Sequence, residues 1–219
     1  MRLDYGDGPL FADRFEAGAQ LGARVREMSW PDPVVLGMAR GGVPAVAEIL
    51  DAPLDVAVAR KIGAPGRPEF GVGAVTAEGP ARYDESTLAA LGLTPADLLA
   101  ACERERAEAR RRLARYRDNA EALPVTGRDV LLVDDGAGHR GDRPGCARGA
   151  VYGRPAADGV RRAGVRADTQ AALRAEADDV VCMAAPAGLG AVGHWYRDFR
   201  QTSDEEVLAA LTAGRRRLA

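Results

Sequence analysis

Asp134 and Asp135 follow four apolar residues, Val130-Leu131-Leu132-Val133, and precede Gly136. That order describes a buried strand delivering two carboxylates to the carboxyl edge of a parallel sheet, the edge at which open α/β sheets bind ligands. Adjacent acids there suit a ribose diol or a magnesium ion. A glycine-rich turn bearing hydroxyls should come next and offer backbone N–H groups to a phosphate. Gly136, Ala137, Gly138, His139, Arg140 and Gly141 occupy its place, ahead of Asp142-Arg143-Pro144, and none carries a hydroxyl. The phosphate-binding loop is degenerate.

Two more groups of this kind follow predicted strands. Val34-Val35-Leu36-Gly37 is a short apolar strand after Pro33, and Arg40-Gly41-Gly42 turns the chain into a helix from about Val43 to Asp51. Leu54 to Ala59 reads as a second strand, ending in Arg60-Lys61 and a glycine- and proline-dense loop, 63–68. Residues 71–76 look like another strand. Strand, helix, strand in this order implies a right-handed crossover and a parallel sheet. Singly, each group has a plain explanation. Arg-Gly-Gly is commonly a turn, Arg60-Lys61 suits a solvated strand end, and paired acids also form the phospho-acceptor pocket of receiver domains. The order of elements here differs from a receiver domain.

The remaining elements must hold these groups in place. Residues 11–28 form an amphipathic helix, with Phe11, Phe15, Leu21 and Val25 near helical spacing. Thr94-Pro95-Ala96-Asp97 starts a helix that runs to about Tyr116, with a hydroxyl cap, proline at the first position and an acid in the first turn. Its Glu/Arg-rich surface raises RNA binding, but acids alternate with the arginines, as in a solvated face laced with ion pairs. Residues 129–133 and 179–183 are strands, and Ser203 to Glu206 is a capping box opening a last helix. His194-Trp195-Tyr196, Cys102 and Cys182 read as packing.

At 219 residues the chain fits a single domain, 1–219, with a helical insertion about 84–120. Apolar content of 47% and a net charge of −2 argue against wholesale disorder and against a general nucleic-acid binder. Three cysteines, Cys102, Cys146 and Cys182, are too few and scattered for a disulfide framework or zinc site. Two histidines leave little for a histidine-based metal centre. No basic-plus-apolar leader opens the chain and no run of about 18 apolar residues spans a membrane, so a cytoplasmic protein is expected.

VVLGMARGGVPAVAE (34–48) and RKIGAPGRPEFGVGAV (60–75) resemble the small bacterial branch of the type I phosphoribosyltransferases. FADRFEAG (11–18) and AVGHWYRDFRQTSDEEV (191–207) are also similar, and the likeness covers about 1–136 and 169–210. It implies an α/β fold with a mostly parallel twisted sheet flanked by helices. It further implies Mg²⁺-dependent transfer of ribose 5-phosphate from phosphoribosyl pyrophosphate (PRPP) to a nucleobase or related base. By that resemblance Arg40, Gly41, Gly42 and Lys61 bind pyrophosphate. Lys61 neutralises charge on that leaving group, and Asp134 and Asp135 hold the ribose hydroxyls directly or through Mg²⁺. These three are the catalytic residues, and loop 62–70 is a lid or a wall on the base side. No membrane or specific nucleic-acid partner is expected, and a homodimer is the commonest assembly. A non-catalytic nucleotide-binding or regulatory module on the same scaffold is the alternative.

The phosphate loop of the family reads ATGAT or similar, which residues 137–143 do not match. From Ala137 to Asp168 there are seven Arg, seven Gly and two Pro, with no apolar run for the next central strand. Asp158 to Arg166 cannot easily be buried on both faces, because unpaired buried arginines cost several kcal/mol each. The genetic code offers an explanation. Ala-Gly-His-Arg-Gly-Asp-Arg can be encoded GCT GGC CAC CGG GGC GAC CGC, which read one base later gives LATGAT. Residues 156–166 admit codons whose shifted reading is PRRTVFAVPVS, a basic turn and an apolar strand. A paired frameshift over about 137–168 is therefore expected, and with it impaired PRPP binding.

Overall fold

A computed structural model describes residues 9–39, 44–118, 120–135, 149–153, 178–183, 192–200 and 202–215. The apolar runs become a five-stranded sheet in the order β2-β1-β6-β7-β8. Its strands are β1 (Pro33–Met38), β2 (Leu54–Ala57), β6 (Asp129–Asp134), β7 (Gly149–Gly153) and β8 (Asp179–Cys182). β1 pairs in parallel with both β2 and β6, as strand–helix–strand order requires. The helix between β1 and β2 is α2, Pro44–Leu50.

Alternation along the strands assigns the two faces of the sheet. Val35, Leu54, Val56, Leu131 and Val133 point to one side, where α1 (Arg14–Arg26), α2, α4 (Leu99–Arg117) and α5 (Asp204–Arg215) cover them with Leu21, Val25, Val46, Ala109, Tyr116 and Leu211. Val34, Leu36 and Val130 point to the other and meet Leu123 and Val125. Asp13 caps α1 by accepting the Glu16 N–H at 2.8 Å. Phe15 does not join the stripe predicted for this helix. It is 64% exposed, and Phe11, ahead of the cap, packs on Tyr196 instead.

β7 departs from the expected absence of a central strand. Gly149–Gly153 lies between β6 and β8, antiparallel to both. An antiparallel neighbour needs only a reversal of the chain, whereas a parallel one needs a crossover of about a dozen residues or more. Four of the five strands still run the same way. The arginine-rich run 158–166 lies outside the described residues.

A second sheet, β3-β4-β5, stands directly after β2: β3 (Ala59–Ala64), β4 (Arg67–Thr76) and β5 (Arg82–Tyr83), all antiparallel. The glycine- and proline-rich stretch predicted as loop 62–70 is mostly this β3–β4 hairpin. Pro65-Gly66 makes its two-residue turn, with Gly66 at φ +70°, a conformation glycine adopts without steric cost. A Cβ on Gly63 would stand 2.3 Å from the Pro68 carbonyl oxygen, so the bulge there requires glycine.

Against this sheet pack α3 (Glu85–Leu91) and α4, the latter entered through a 3-10 turn, Pro95–Leu98. Thr94 and Asp97 close the predicted helix start, the Thr94 N–H donating to Asp97 Oδ2 at 2.8 Å. On the outer surface of α4, Glu108 accepts from Arg111 and Arg112 at 2.7 Å each. Those guanidiniums, Arg111 first, hold its carboxyl at about 2, below the ordinary 4.5. A depressed folded value means the contribution is present above pH 4.5 and disappears as pH falls toward 2. Helical circular dichroism followed through that window should therefore fall more steeply for the native chain than for Glu108→Gln. Equal slopes would mean the pairs contribute nothing.

No helix among the described residues is long and apolar enough to cross a membrane. Cys102 is a free buried thiol, whereas Cys182 is disulfide-bonded, a pairing its spacing in the chain does not reveal.

Candidate active site at the carboxyl edge

The parallel strands β1, β2 and β6 end at one edge. Gly37 lies beside Val133 and Met38 beside Ala57, and the Ala39 N–H donates to the Ala57 carbonyl at 3.0 Å. Asp134 and Asp135 thus emerge next to the point where β1 ends. Arg40, Gly41 and Gly42, the next residues after that end, lie outside the described residues, as do Gly136, Ala137, Gly138, His139, Arg140 and Gly141. Asp134 Oδ1 accepts the Asp135 N–H at 3.0 Å, which orients one carboxylate along the edge.

Asp135 is held by groups that sequence reading does not connect to it. Arg14 Nε donates to Asp135 Oδ2 at 2.6 Å, and the two side chains are only 11% and 19% exposed. The same guanidinium donates through Nη1 to the carbonyl oxygens of Phe199 and Arg200, at 3.1 and 2.6 Å, and its Cζ stands 3.6 Å from the Phe199 ring centroid. The Tyr196 hydroxyl donates to the Asp135 carbonyl at 2.8 Å. Tyr196 does pack, its ring centroid 5.4 Å from that of Phe11 and 5.1 Å from that of Phe199, but its hydroxyl belongs to the site. The two terminal segments similar to the transferases, 11–18 and 191–207, therefore meet on the β6 acids.

Lys61 stands apart, on β3. Its Nζ donates to the Glu69 carbonyl and to Glu69 Oε2, at 2.9 and 3.0 Å. With Lys61 half-exposed and Glu69 almost fully so, this pair is worth little. Arg60, beside it, is tied to Glu105 of α4 at 2.9 Å. A cavity of about 620 Å³ opens between the hairpin and the start of α4, lined by Arg60, Lys61, Glu69, Arg104 and Glu105 among others. The predicted strand-end position of Arg60-Lys61 is corrected by this geometry: both lie within a hairpin that rises from the end of β2.

No cluster of three or more His, Cys, Asp or Glu suited to a metal occurs among the described residues. Two adjacent carboxylates remain as hard oxygen donors. Such a donor set would suit a magnesium ion, which takes one or two carboxylates.

No protein-family model matches the sequence. Two curated proteins of Mycobacterium tuberculosis, "Putative phosphoribosyl transferase MT0597" (strain CDC 1551 / Oshkosh) and "Putative phosphoribosyl transferase Rv0571c" (strain ATCC 25618 / H37Rv), are each 40% identical over 216 residues, 96% of this chain. The chain spans about half the length of these relatives, 48% of each. The crystal structure of TT1426 from Thermus thermophilus superposes with a TM-score of 0.68 at 32% identity, covering 93% of this chain and 98% of that one. Over nearly its whole length the chain is similar to these two putative phosphoribosyl transferases, and it shares the fold of TT1426.

Proposed function

We propose that the chain is built as a Mg²⁺-dependent phosphoribosyltransferase that moves ribose 5-phosphate from PRPP to a nitrogenous base, and that its 5′-phosphate loop has been lost. The observation that carries this reading is the pair Asp134 and Asp135 at the carboxyl edge, beside the end of β1. The names of the Mycobacterium relatives support it.

In this reading the chain is one transferase domain with a helical insertion at 84–120. Arg40 and the N–H groups of Gly41 and Gly42 grip the pyrophosphate, a forked charge over a backbone close enough for direct contact. Asp134 and Asp135 accept the ribose hydroxyls or supply oxygens to Mg²⁺. Bound there, Mg²⁺ would supply positive charge against the phosphates. The acceptor nitrogen forms a bond to C1 of the ribose as the C1–O bond breaks; pyrophosphate leaves with the electron pair, and the proton given up by the acceptor nitrogen passes to pyrophosphate or water. Lys61, released from Glu69, meets the charge that develops there. Residues 136–143 bring no hydroxyl to the 5′-phosphate, so PRPP binding is weak.

The test is turnover of PRPP with purine and pyrimidine bases at millimolar concentrations, followed by pyrophosphate release. Slow, Mg²⁺-dependent release is expected, and Lys61→Met should lower kcat by about a hundredfold. PRPP binding without product would favour the non-catalytic module. No binding at all would end the transferase reading.

A further inference from the structure

The contacts of Asp135 divide its carboxylate into two unlike oxygens. Oδ2 is taken by Arg14 at 2.6 Å. Oδ1 has no partner among the described residues. Arg14 is itself over-determined: two carbonyl oxygens and the Phe199 ring fix its guanidinium, and the residue lies in the first turn of α1, which Asp13 caps. Tyr196 fixes the backbone of Asp135 independently. A carboxylate just past the end of a strand would ordinarily rotate freely about χ1 and χ2. Here one oxygen is anchored from elements far away in sequence, and the other accepts from none of the described residues.

We propose that Arg14 is a positioning residue for the transferase reaction, acting through Asp135 so that Oδ1 is presented to a ribose hydroxyl of the phosphoribosyl ligand. The inference rests on the function proposed above. It adds that the charge of Arg14 is engaged by Asp135 and the C-terminal segment, not by the phosphates. An arginine aimed at phosphate would leave its fork open; this one is closed on protein acceptors at both Nε and Nη1. The role also separates the two acids, since Asp134 turns an oxygen back to its neighbour's N–H while Asp135 is clamped by Arg14.

Calorimetric titration with PRPP and with pyrophosphate, both with Mg²⁺, tests the inference in the native chain and in Arg14→Gln, Asp135→Asn and the double variant. Pyrophosphate has no ribose and serves as the internal comparison. Arg14→Gln should bind PRPP about 10- to 100-fold more weakly, in line with the usual cost of removing an outer-shell partner, and should bind pyrophosphate as the native chain does. If Arg14 acts through Asp135, the double variant is no weaker than Asp135→Asn alone. Additive losses, equal losses of both ligands, or native PRPP binding in Arg14→Gln would each overturn the role. Should Arg14→Gln not fold, Tyr196→Phe removes only the hydroxyl bond and keeps the ring contacts; it too should weaken PRPP and spare pyrophosphate, and parallel effects on both would count against the proposal. A native chain that binds no PRPP would instead defeat the transferase reading, and the role of Arg14 with it.

Discussion

Exchange of residues 137–142 for the shifted-frame reading LATGAT is expected to tighten PRPP binding by at least about a hundredfold. That gain corresponds to two regained charge-assisted hydrogen bonds to the 5′-phosphate, at about 1.5 kcal/mol or more each, where about 1.4 kcal/mol is tenfold. The threonines supply hydroxyls, and the glycine allows successive N–H groups to turn toward one anion. The native segment offers Arg140 as a charge, yet a charge on a long side chain does not reproduce a cradle of fixed donors. Equilibrium dialysis with PRPP, run beside ribose 5-phosphate, checks the expectation. Ribose 5-phosphate should gain as much as PRPP, because the regained contacts are to the phosphate both share. An unchanged affinity for both would mean that residues 137–142 do not contact the phosphate.

Asp55→Asn should destabilise the fold by about 3 kcal/mol, a large share of the stability of an ordinary domain. Asp55 is 1% exposed in the middle of β2. Its carboxylate accepts from Arg117 at 2.9 Å, from the Leu123 N–H at 3.2 Å and from the Val56 N–H at 2.8 Å, and Arg215 stands 3.9 Å away. It therefore joins β2 to the end of α4, the segment after it and the end of α5. The asparagine variant keeps the shape and one acceptor but leaves two arginines facing no negative charge. Uncompensated buried charge, rather than the lost attraction, sets the magnitude. Thermal unfolding should show a fall of about 10 °C for a chain of this size. A fall of only a degree or two would mean that water already solvates Arg117 and Arg215.

What can be read along the chain is what local pattern encodes. The apolar runs of β1 and β6 and the caps at Thr94 and Ser203 follow from periodicity and local hydrogen bonds, and the structure places them as expected; β2 begins at Leu54 as expected but ends at Ala57, not Ala59. Two elements are less legible for physical reasons. Pro65-Gly66 signals a turn, but the glycines on either side hide the strand character of β3 and β4, whose pairing rests on a bulge at Gly63. Gly149–Gly153 has too short an apolar stretch to announce a central strand, yet it is one, by antiparallel pairing.

The site divides in the same way. The acids at the end of β6 are visible in sequence because strand and ligand position are coupled in such sheets. Arg14 lies far from Asp135 in sequence, and no spacing rule relates them. Only the fold, by stacking 11–18 against 191–207, makes that contact. Asp55 escapes notice in sequence because one acid inside Leu-Asp-Val-Ala looks like ordinary alternation.

Titration of the native chain with PRPP in the presence and absence of Mg²⁺ tests the central claim most directly. Saturable binding at millimolar concentrations is expected, stronger with Mg²⁺, competed by pyrophosphate and lost in Asp134→Asn. Binding indifferent to both Mg²⁺ and Asp134, or no binding at all, would contradict it.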